Sequence, residues 1–315
     1  MFKDDKDKTE AEAFNSQILE RIENGHVPDL RHPERNEWFF NNVWRDPEFV
    51  KMSFGENLTY LMQFLETHSK ILDVGCGPGH MSLELARNGH LVTGVDLSPK
   101  CIEFAKKTAS ENIHLNGFGS LEYFGGDFLE MNLKLGSFDS IMFYGALSHF
   151  PDLDKTLDRV YELLLPKGII LIWDTSVEMY AKEDAGLLHF TRMLLSFCGN
   201  YYDTKDLPKD ADELDSQIEQ VLNELKYIDD DGGNLQSPND NSQTYASMMA
   251  ALKDRFDEQT FCWESSFYRN MIGGLRFDKP EEEHALAKFI KLMENFFIQR
   301  GRLMPAFFYY VGQKK

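Results

Sequence analysis

The feature that most constrains this chain is a rhythm between residues 69 and 174. Short apolar runs at 71–74, 91–97, 121–124, 138–144 and 168–173 alternate with stretches of helical pattern. One such stretch covers 81–88 and ends near Gly89. Another starts at Ser98-Pro99, a hydroxyl N-cap followed by a proline suited to the first turn. A third carries Leu153, Leu157, Val160 and Leu164 on one helical face. Strands alternating with helices predict a mostly parallel sheet covered on both sides. The nearly unbroken apolar run at 168–173 suits a strand buried on both faces. Right-handed crossovers gather the loops that follow the strands along one edge, where ligands bind in such sheets.

The flanks read differently. Residues 1–35 are strongly charged and contain a helical stretch at 9–24. Residues 36–68 hold many aromatics, among them Trp38, Phe39 and Trp44. Tyr60, Phe64 and Leu65 are spaced for one face of a helix leading into the first strand. After Asp174 the rhythm breaks, and 176–278 reads as mainly helical and irregular. Leu214, Ile218, Leu222 and Leu225 make one apolar helix face there, and 229–241 has loop composition. A helix over 280–299 and an aromatic strand over 305–312 close the chain.

Several functional classes are disfavoured. No apolar run reaches the roughly 18 residues of a membrane span, and residues 1–8 lack the apolar stretch of a signal peptide, so a cytoplasmic protein without membrane contact is expected. Cys76, Cys101, Cys198 and Cys262 are scattered, which indicates neither a disulfide framework nor a zinc site, and no metal is expected. The formal net charge is −19, from 33 Lys and Arg against 52 Asp and Glu. Such a field argues against nucleic acid as a partner. Residues 203–240 alone hold twelve acids against three lysines, a pattern expected of a solvated surface.

The chemistry-bearing signal is Asp73-Val74-Gly75-Cys76-Gly77-Pro78-Gly79, between a predicted strand and a predicted helix. Glycines allow a tight turn and close approach of a ligand to the backbone. The dinucleotide fingerprint GxGxxG is not met, because His80 stands where its third glycine belongs. Asp73, two residues before Gly75, would oppose a bound pyrophosphate and suits a ligand with a positive end. Asp96 ends the second strand about 20 residues beyond the turn, where a carboxylate can accept both ribose hydroxyls. In Gly125-Gly126-Asp127-Phe128, Asp127 is placed to accept adenine amino hydrogens while Phe128 packs on the ring. Taken singly, each acid is equally well an ordinary loop or cap residue; the three in succession favour a nucleoside site.

Asp73 to Gly79 resembles motif I of the class I S-adenosylmethionine-dependent methyltransferases, (D/E)xGxGxG. Asp96 and Asp127 match that family's ribose and adenine acids, and Phe138-Asp139-Ser140-Ile141 its fourth strand. Leu165-Pro166-Lys167-Gly168 departs from the family's LKPGG turn, which serves the fold and not the ligand. The resemblance implies a Rossmann-like, doubly wound α/β fold. Its seven-stranded sheet would be mostly parallel with an antiparallel last strand, plus a mainly helical insertion. It divides the chain into an N-terminal helical segment covering the cofactor site (1–68), a cofactor-binding core (69–175), a helical insertion or lid (176–278), and a final helix and strand (279–315). It implies S-adenosylmethionine as cofactor, with Gly75, Cys76, Gly77 and Gly79 near the methionine part, Leu97 and Phe128 at the adenine, and Tyr144 and Gly145 near the sulfonium.

The activity implied is direct in-line methyl transfer to a small-molecule acceptor. Alternatives are a protein acceptor, or a cofactor-binding protein without methyl transfer. His149, just beyond the fourth strand, is the candidate general base, with a hydrogen-bonded loop histidine as the plainer reading. The aromatics of 36–68, Trp38, Phe39 and Trp44 above all, are expected to fold over the cofactor. Aromatic faces together with acidic charge would suit an amine acceptor through cation–π contact.

Overall fold

A computed structural model describes residues 9–32, 34–112, 116–203, 206–229 and 231–315. Seven strands form one sheet: β1 (Lys70–Val74), β2 (Leu91–Asp96), β3 (Ser120–Gly125), β4 (Phe138–Tyr144), β5 (Leu164–Thr175), β6 (Phe256–Trp263) and β7 (Phe307–Lys314). Their order is β3-β2-β1-β4-β5-β7-β6. The pairs from β3 through β5 are parallel, and β7 runs antiparallel to both β5 and β6. The sheet is thus the Rossmann-like one expected. The sequence predicts a mainly helical, irregular 176–278, however, and β6 corrects that expectation: this part of the chain supplies an edge strand as well as helices. The reason is visible in Phe256-Asp257-Glu258-Gln259-Thr260-Phe261. An edge strand faces water, so its polar residues hide the apolar alternation.

The period of two in each strand builds two cores. Ile71, Met142, Leu171 and Trp173 point to one face and pack with Phe49, Leu58, Leu188 and Tyr268. Leu72, Val74, Ile141, Phe143, Ile170 and Ile172 point to the other, against Leu157 and Val160 of helix Leu153–Leu163 and Met248 and Leu252 of helix Tyr245–Arg255. At roughly 1.5–3 kcal/mol per fully buried aliphatic or aromatic side chain, these two layers supply most of the drive to fold.

The N-terminal helix, Glu10–Glu23, starts with a capping box in which Thr9 accepts from the Glu12 N–H and Glu12 reaches back to Thr9. It packs against helix Pro99–Ser110. Asn15 Oδ1 accepts from the Ser98 hydroxyl at 2.7 Å and from the Lys100 N–H at 3.1 Å. The helix expected to carry Tyr60, Phe64 and Leu65 together ends earlier, at Met62 (Glu56–Met62), so Phe64 and Leu65 lie in the following turn. The stretch 36–55 is tied to the C-terminal helix Pro280–Ile298 by Arg45. Arg45 is fully buried, and its Nη2 donates to Glu283 Oε2 at 2.6 Å. No helix among the described residues is long and apolar enough to cross a membrane.

Candidate functional site

β1 leads to β2 and β3 on one side, while β4 and β5 lie on the other. The chain therefore reverses direction between β1 and β4, which opens a crevice at their carboxyl ends. A cavity of 460 Å³ fills this crevice, within the range of small-molecule sites. Asp73, Gly75, Cys76, Gly77, Asp96, Leu97, Asp127, Phe128, Tyr144, Gly145 and His149 all line it. Gly79 is the exception among the expected residues. At φ +83° it turns the chain into helix His80–Arg87, and a Cβ there would strike the Tyr123 ring and lie 2.8 Å from Ala105 Cβ. Its role is to let the turn pack against Tyr123 of β3 and Ala105 of helix Pro99–Ser110. Gly77, at φ +52°, has no described residue within 4 Å of the position its Cβ would take. That open face lets a ligand meet bare backbone.

Asp96 is oriented by backbone donors. Gly77 N–H donates to its Oδ2 and Ser98 N–H to its Oδ1, both at 2.8 Å. Each oxygen keeps a lone pair for a further donor. Burial raises its pKa, against the lowering effect of those two N–H groups and of His149. Asp73 is more enclosed, at 1% exposure. The Ser82 hydroxyl donates to its Oδ2 at 2.5 Å, while Oδ1 is buried without a partner among the described residues. Burial pushes this carboxyl up to about 7, against the Ser82 hydrogen bond and with help from Asp96. A buried carboxylate oxygen without a donor is costly, and a cationic ligand group would relieve it. Asp127 is exposed and uses Oδ1 to accept the Leu129 N–H at 2.9 Å. Phe128 is 4% exposed and packs edge-on against Phe143 and Phe150.

The outer wall comes from places the motifs did not mark. The N-terminal helix contributes Glu10, Phe14, Gln17, Ile18 and Arg21, and the loop after Ile228 contributes Gln236 and Asn239. Glu10 fastens these together: its Oε1 receives His149 Nδ1 at 3.0 Å and Ser237 Oγ at 2.7 Å, and its Oε2 the Asn239 N–H at 2.8 Å. Asp240 Oδ1 lies 3.8 Å from His149 Nε2. Burial by itself would lower the His149 pKa, but Glu10, Asp240 and Asp174 together raise it. Arg21 accepts no such company. Its side chain lines the cavity with no hydrogen bond or ion pair among the described residues, and burial lowers its pKa.

The inner wall is aromatic: Trp44, Phe54, Tyr144 and Trp173, with His80 edge-on to Trp44 and Phe54 at 5.3 and 5.1 Å. Among the described residues neither ring nitrogen of His80 has a partner, and burial, with Arg21 and Arg269 nearby, lowers its pKa to about 4. Of the aromatics expected over the cofactor, Trp44 reaches the cavity. Phe39 instead packs on His26 and Trp38 at 5.2 and 5.0 Å, outside it. The aromatic faces that suited an amine are taken by an internal cation: the Arg269 guanidinium sits 4.7 Å from the ring centroids of both Phe54 and Trp173. A faint signal existed for the outer wall, since the apolar Phe14 and Ile18 of helix 9–24 fall on one face. Nothing marked Arg21 or Arg269, because an arginine in sequence is normally a surface residue.

Residues 65–199 match the family described as a methyltransferase domain. Among curated proteins, the mitochondrial ubiquinone biosynthesis O-methyltransferase of Schizosaccharomyces pombe is 38% identical over 113 residues, 36% of this chain and 40% of that protein. The ubiquinone biosynthesis O-methyltransferase of Pasteurella multocida is 30% identical over 168 residues, 51% of this chain and 65% of that protein. The chain therefore spans 40% to 65% of the length of these relatives. Among solved structures, the [4+2]-cyclase SpnF aligns with a TM-score of 0.51 at 14% identity, over 96% of this chain and 93% of that one. A candidate sarcosine dimethylglycine methyltransferase from Galdieria sulphuraria aligns with a TM-score of 0.51 at 17% identity, over 96% and 98%. At these identities the likeness to the two structures is one of fold.

Proposed function

We propose that this chain, which carries a class I S-adenosylmethionine-dependent methyltransferase domain, transfers the donor's methyl group directly to a small-molecule acceptor held in the cavity. The observation that carries this is charge placement around the crevice: among the described residues, Asp73 keeps an unpartnered buried oxygen, Asp96 is preset by two N–H groups, and Arg21 has no ion-pair partner. The donor offers an ammonium, two ribose hydroxyls and a carboxylate, one for each. Asp127 keeps Oδ2 for the adenine amino group, and Leu97 and Phe128 flank the ring. The acceptor side is argued from size. The N-terminal helix and the 236–239 loop roof the cavity, which favours a small molecule, as does the likeness to ubiquinone biosynthesis O-methyltransferases.

When bound, S-adenosylmethionine supplies an electrophilic methyl on a sulfonium. The chain's own work is to hold, orient and dry the site, and such positioning is worth about 7–11 kcal/mol of a barrier. His149 is the group placed to take a proton from the acceptor. Its Nδ1–H donates to Glu10, which fixes the tautomer and leaves Nε2 as the basic nitrogen. Asp174 sets the loop that carries it, since Asp174 Oδ2 accepts from the Leu147 and Ser148 N–H groups at 2.8 and 3.2 Å.

The test has two arms. Calorimetric titration with S-adenosylmethionine and S-adenosylhomocysteine is expected to show binding of both. Incubation with methyl-tritiated donor and a metabolite extract is expected to move label into the low-mass fraction. Label found only on protein would assign a protein acceptor, and binding without transfer would leave a cofactor-binding protein.

Donor binding is also expected to depend on pH through Asp73. Its carboxyl, raised to about 7, must ionise to receive an ammonium, so affinity falls as the solution is acidified. Between pH 8 and pH 6 the expected loss is roughly tenfold, with a matching proton release at the lower pH. Titrations in buffers of different ionisation enthalpy measure both, and Asp73→Asn should flatten the profile. A wild-type profile flat over this range would remove Asp73 from the ammonium site.

A further inference from the structure

We infer that the outward face of helix Pro280–Ile298 is a self-association surface, on which a second copy of this chain packs the same helix antiparallel across a two-fold axis near Leu292. The sequence supplies the pattern. Ala285, Phe289, Leu292 and Phe296 follow one another at intervals of four, three and four, the spacing of a coiled-coil seam. The helix meets its own core with the other side, where Glu283, Ala287, Ile290 and Glu294 are buried. The seam faces out: Phe289 is 57% exposed, Leu292 67% and Phe296 43%. A row of large apolar side chains in water is costly, and a contiguous exposed patch marks an interaction surface.

Helix Lys182–Phe197 widens this surface. Met304, just beyond the C-terminal helix, donates its N–H to Asp184 Oδ1 at 3.1 Å. At the other end Tyr202 N–H donates to the Gly274 carbonyl at 2.9 Å. The two helices are thus tied at both ends and run side by side in opposite directions. Both bury their inner sides in the same core, through Ala185 and Leu188 and through Ala287 and Ile290. Phe190, Leu194 and Phe197, exposed by 60%, 52% and 78%, therefore face outward on the same flank. At about 200 Å² for a fully exposed large side chain, the six residues offer on the order of 700 Å² of apolar surface. A standard interface buries about 800 Å² per partner, so this face is large enough for a dimer.

Charge selects the partner. At a net charge of −19, two copies repel unless their contact is charge-matched. Glu281 and Glu282 are exposed in the first turn of helix Pro280–Ile298, and Arg300 and Arg302 are exposed just past its last. Arg300 lies over the Phe296 ring, which puts it at the seam. Leu292 stands midway between the two ends. A two-fold axis there sets the acidic end of each copy against the basic end of the other, so every contact is made twice, as such an interface requires. The helix dipoles are opposed as well. The Lys279–Glu282 pair at 3.2 Å is exposed, and such pairs are weak competition. An anionic lipid surface would repel the acidic end, whereas helices that lie on membranes carry a basic polar face.

Sedimentation equilibrium of the wild-type chain at about 50 μM, where an interface of this size is populated, should give twice the chain mass. Leu292→Glu sets two carboxylates against each other on the axis and should weaken the dimer at least about tenfold. The position is exposed, so circular dichroism should report an unchanged fold. Glu281→Arg with Glu282→Arg, and separately Arg300→Glu with Arg302→Glu, should each give monomers. Mixed in equal amounts, these two variants should re-form a dimer, because each basic end then meets an acidic one. A wild type that stays monomeric at this concentration overturns the proposal without needing any variant to fold. So does a monomer that sediments with vesicles of phosphatidylcholine and phosphatidylglycerol, which would assign the face to a membrane. A dimer of wild-type strength in Leu292→Glu or in either reversed variant overturns it too, as does failure of the mixed variants to associate.

Discussion

Arg45→Met is expected to destabilise the folded protein by about 3–5 kcal/mol, the range for removing one partner of a buried ion pair. Arg45 has no exposed surface, and Glu283, its partner at 2.6 Å, is 1% exposed. The same guanidinium donates from Nε to the Gly273 carbonyl at 2.6 Å and from Nη2 to the Leu275 carbonyl at 2.8 Å. Its Nη1 also reaches Glu37 Oε1 at 3.1 Å. One side chain thus joins the aromatic N-terminal stretch to the 273–275 turn and to helix Pro280–Ile298. Methionine fills much of the volume but leaves the buried Glu283 carboxylate with only the partly exposed Arg35 and the Phe277 N–H, at 3.1 Å, to answer it. The loss should lower the melting temperature by roughly 6–15 °C in thermal unfolding followed by circular dichroism. Glu283→Gln in the same chain should return part of the stability, because the penalty lies in the stranded charge more than in the lost contact. A melting temperature within 2 °C of wild type for the single variant would mean that the network is idle.

Asp96→Ala is expected to weaken donor binding by at least tenfold and on the order of a hundredfold. A carboxylate accepting two ribose hydroxyls makes two hydrogen bonds of the charged kind, each worth roughly 1.5–3 kcal/mol. The substitution also removes the acceptor that orients the Gly77 and Ser98 N–H groups, so part of the effect comes through the glycine turn. Asp127→Ala gives the contrast. That residue is exposed and already serves the Leu129 N–H, so its removal should cost only a few-fold. Calorimetry with S-adenosylhomocysteine reads both. Unchanged affinity in Asp96→Ala would refute the ribose role.

Arg45 and Asp96 owe their effects to different parts of the chain: Arg45 to contacts more than two hundred residues apart, Asp96 to its immediate neighbours. Asp96 was legible in the sequence because its place depends on its neighbours: an apolar strand ends, a turn follows, and the carboxylate must stand at the edge. The same holds for Asp73, Gly77, Asp127, Tyr144 and His149, all of which line the cavity. The helices near 9–24 and 280–299 and the strand near 305–312 were legible for the same reason, through periodicity read within a few turns of chain. β6 was not, because an edge strand's polar side obscures the pattern and its partner, β7, lies more than forty residues further on.

The sequence by itself therefore determined the sheet's parallel core, the crevice at its carboxyl edge and the acids that ring it, since each follows from short-range sterics and hydrogen bonding. Tertiary structure alone decided what closes that crevice. Glu10 meets His149 across 139 positions, and Arg45 meets Glu283 across 238. Arg269 becomes an internal cation only because Phe54, Trp173 and Phe307 converge on it from three separate parts of the chain. Burial is a property of the packed whole, and burial is what turns an ordinary arginine or glutamate into a group whose charge must be answered.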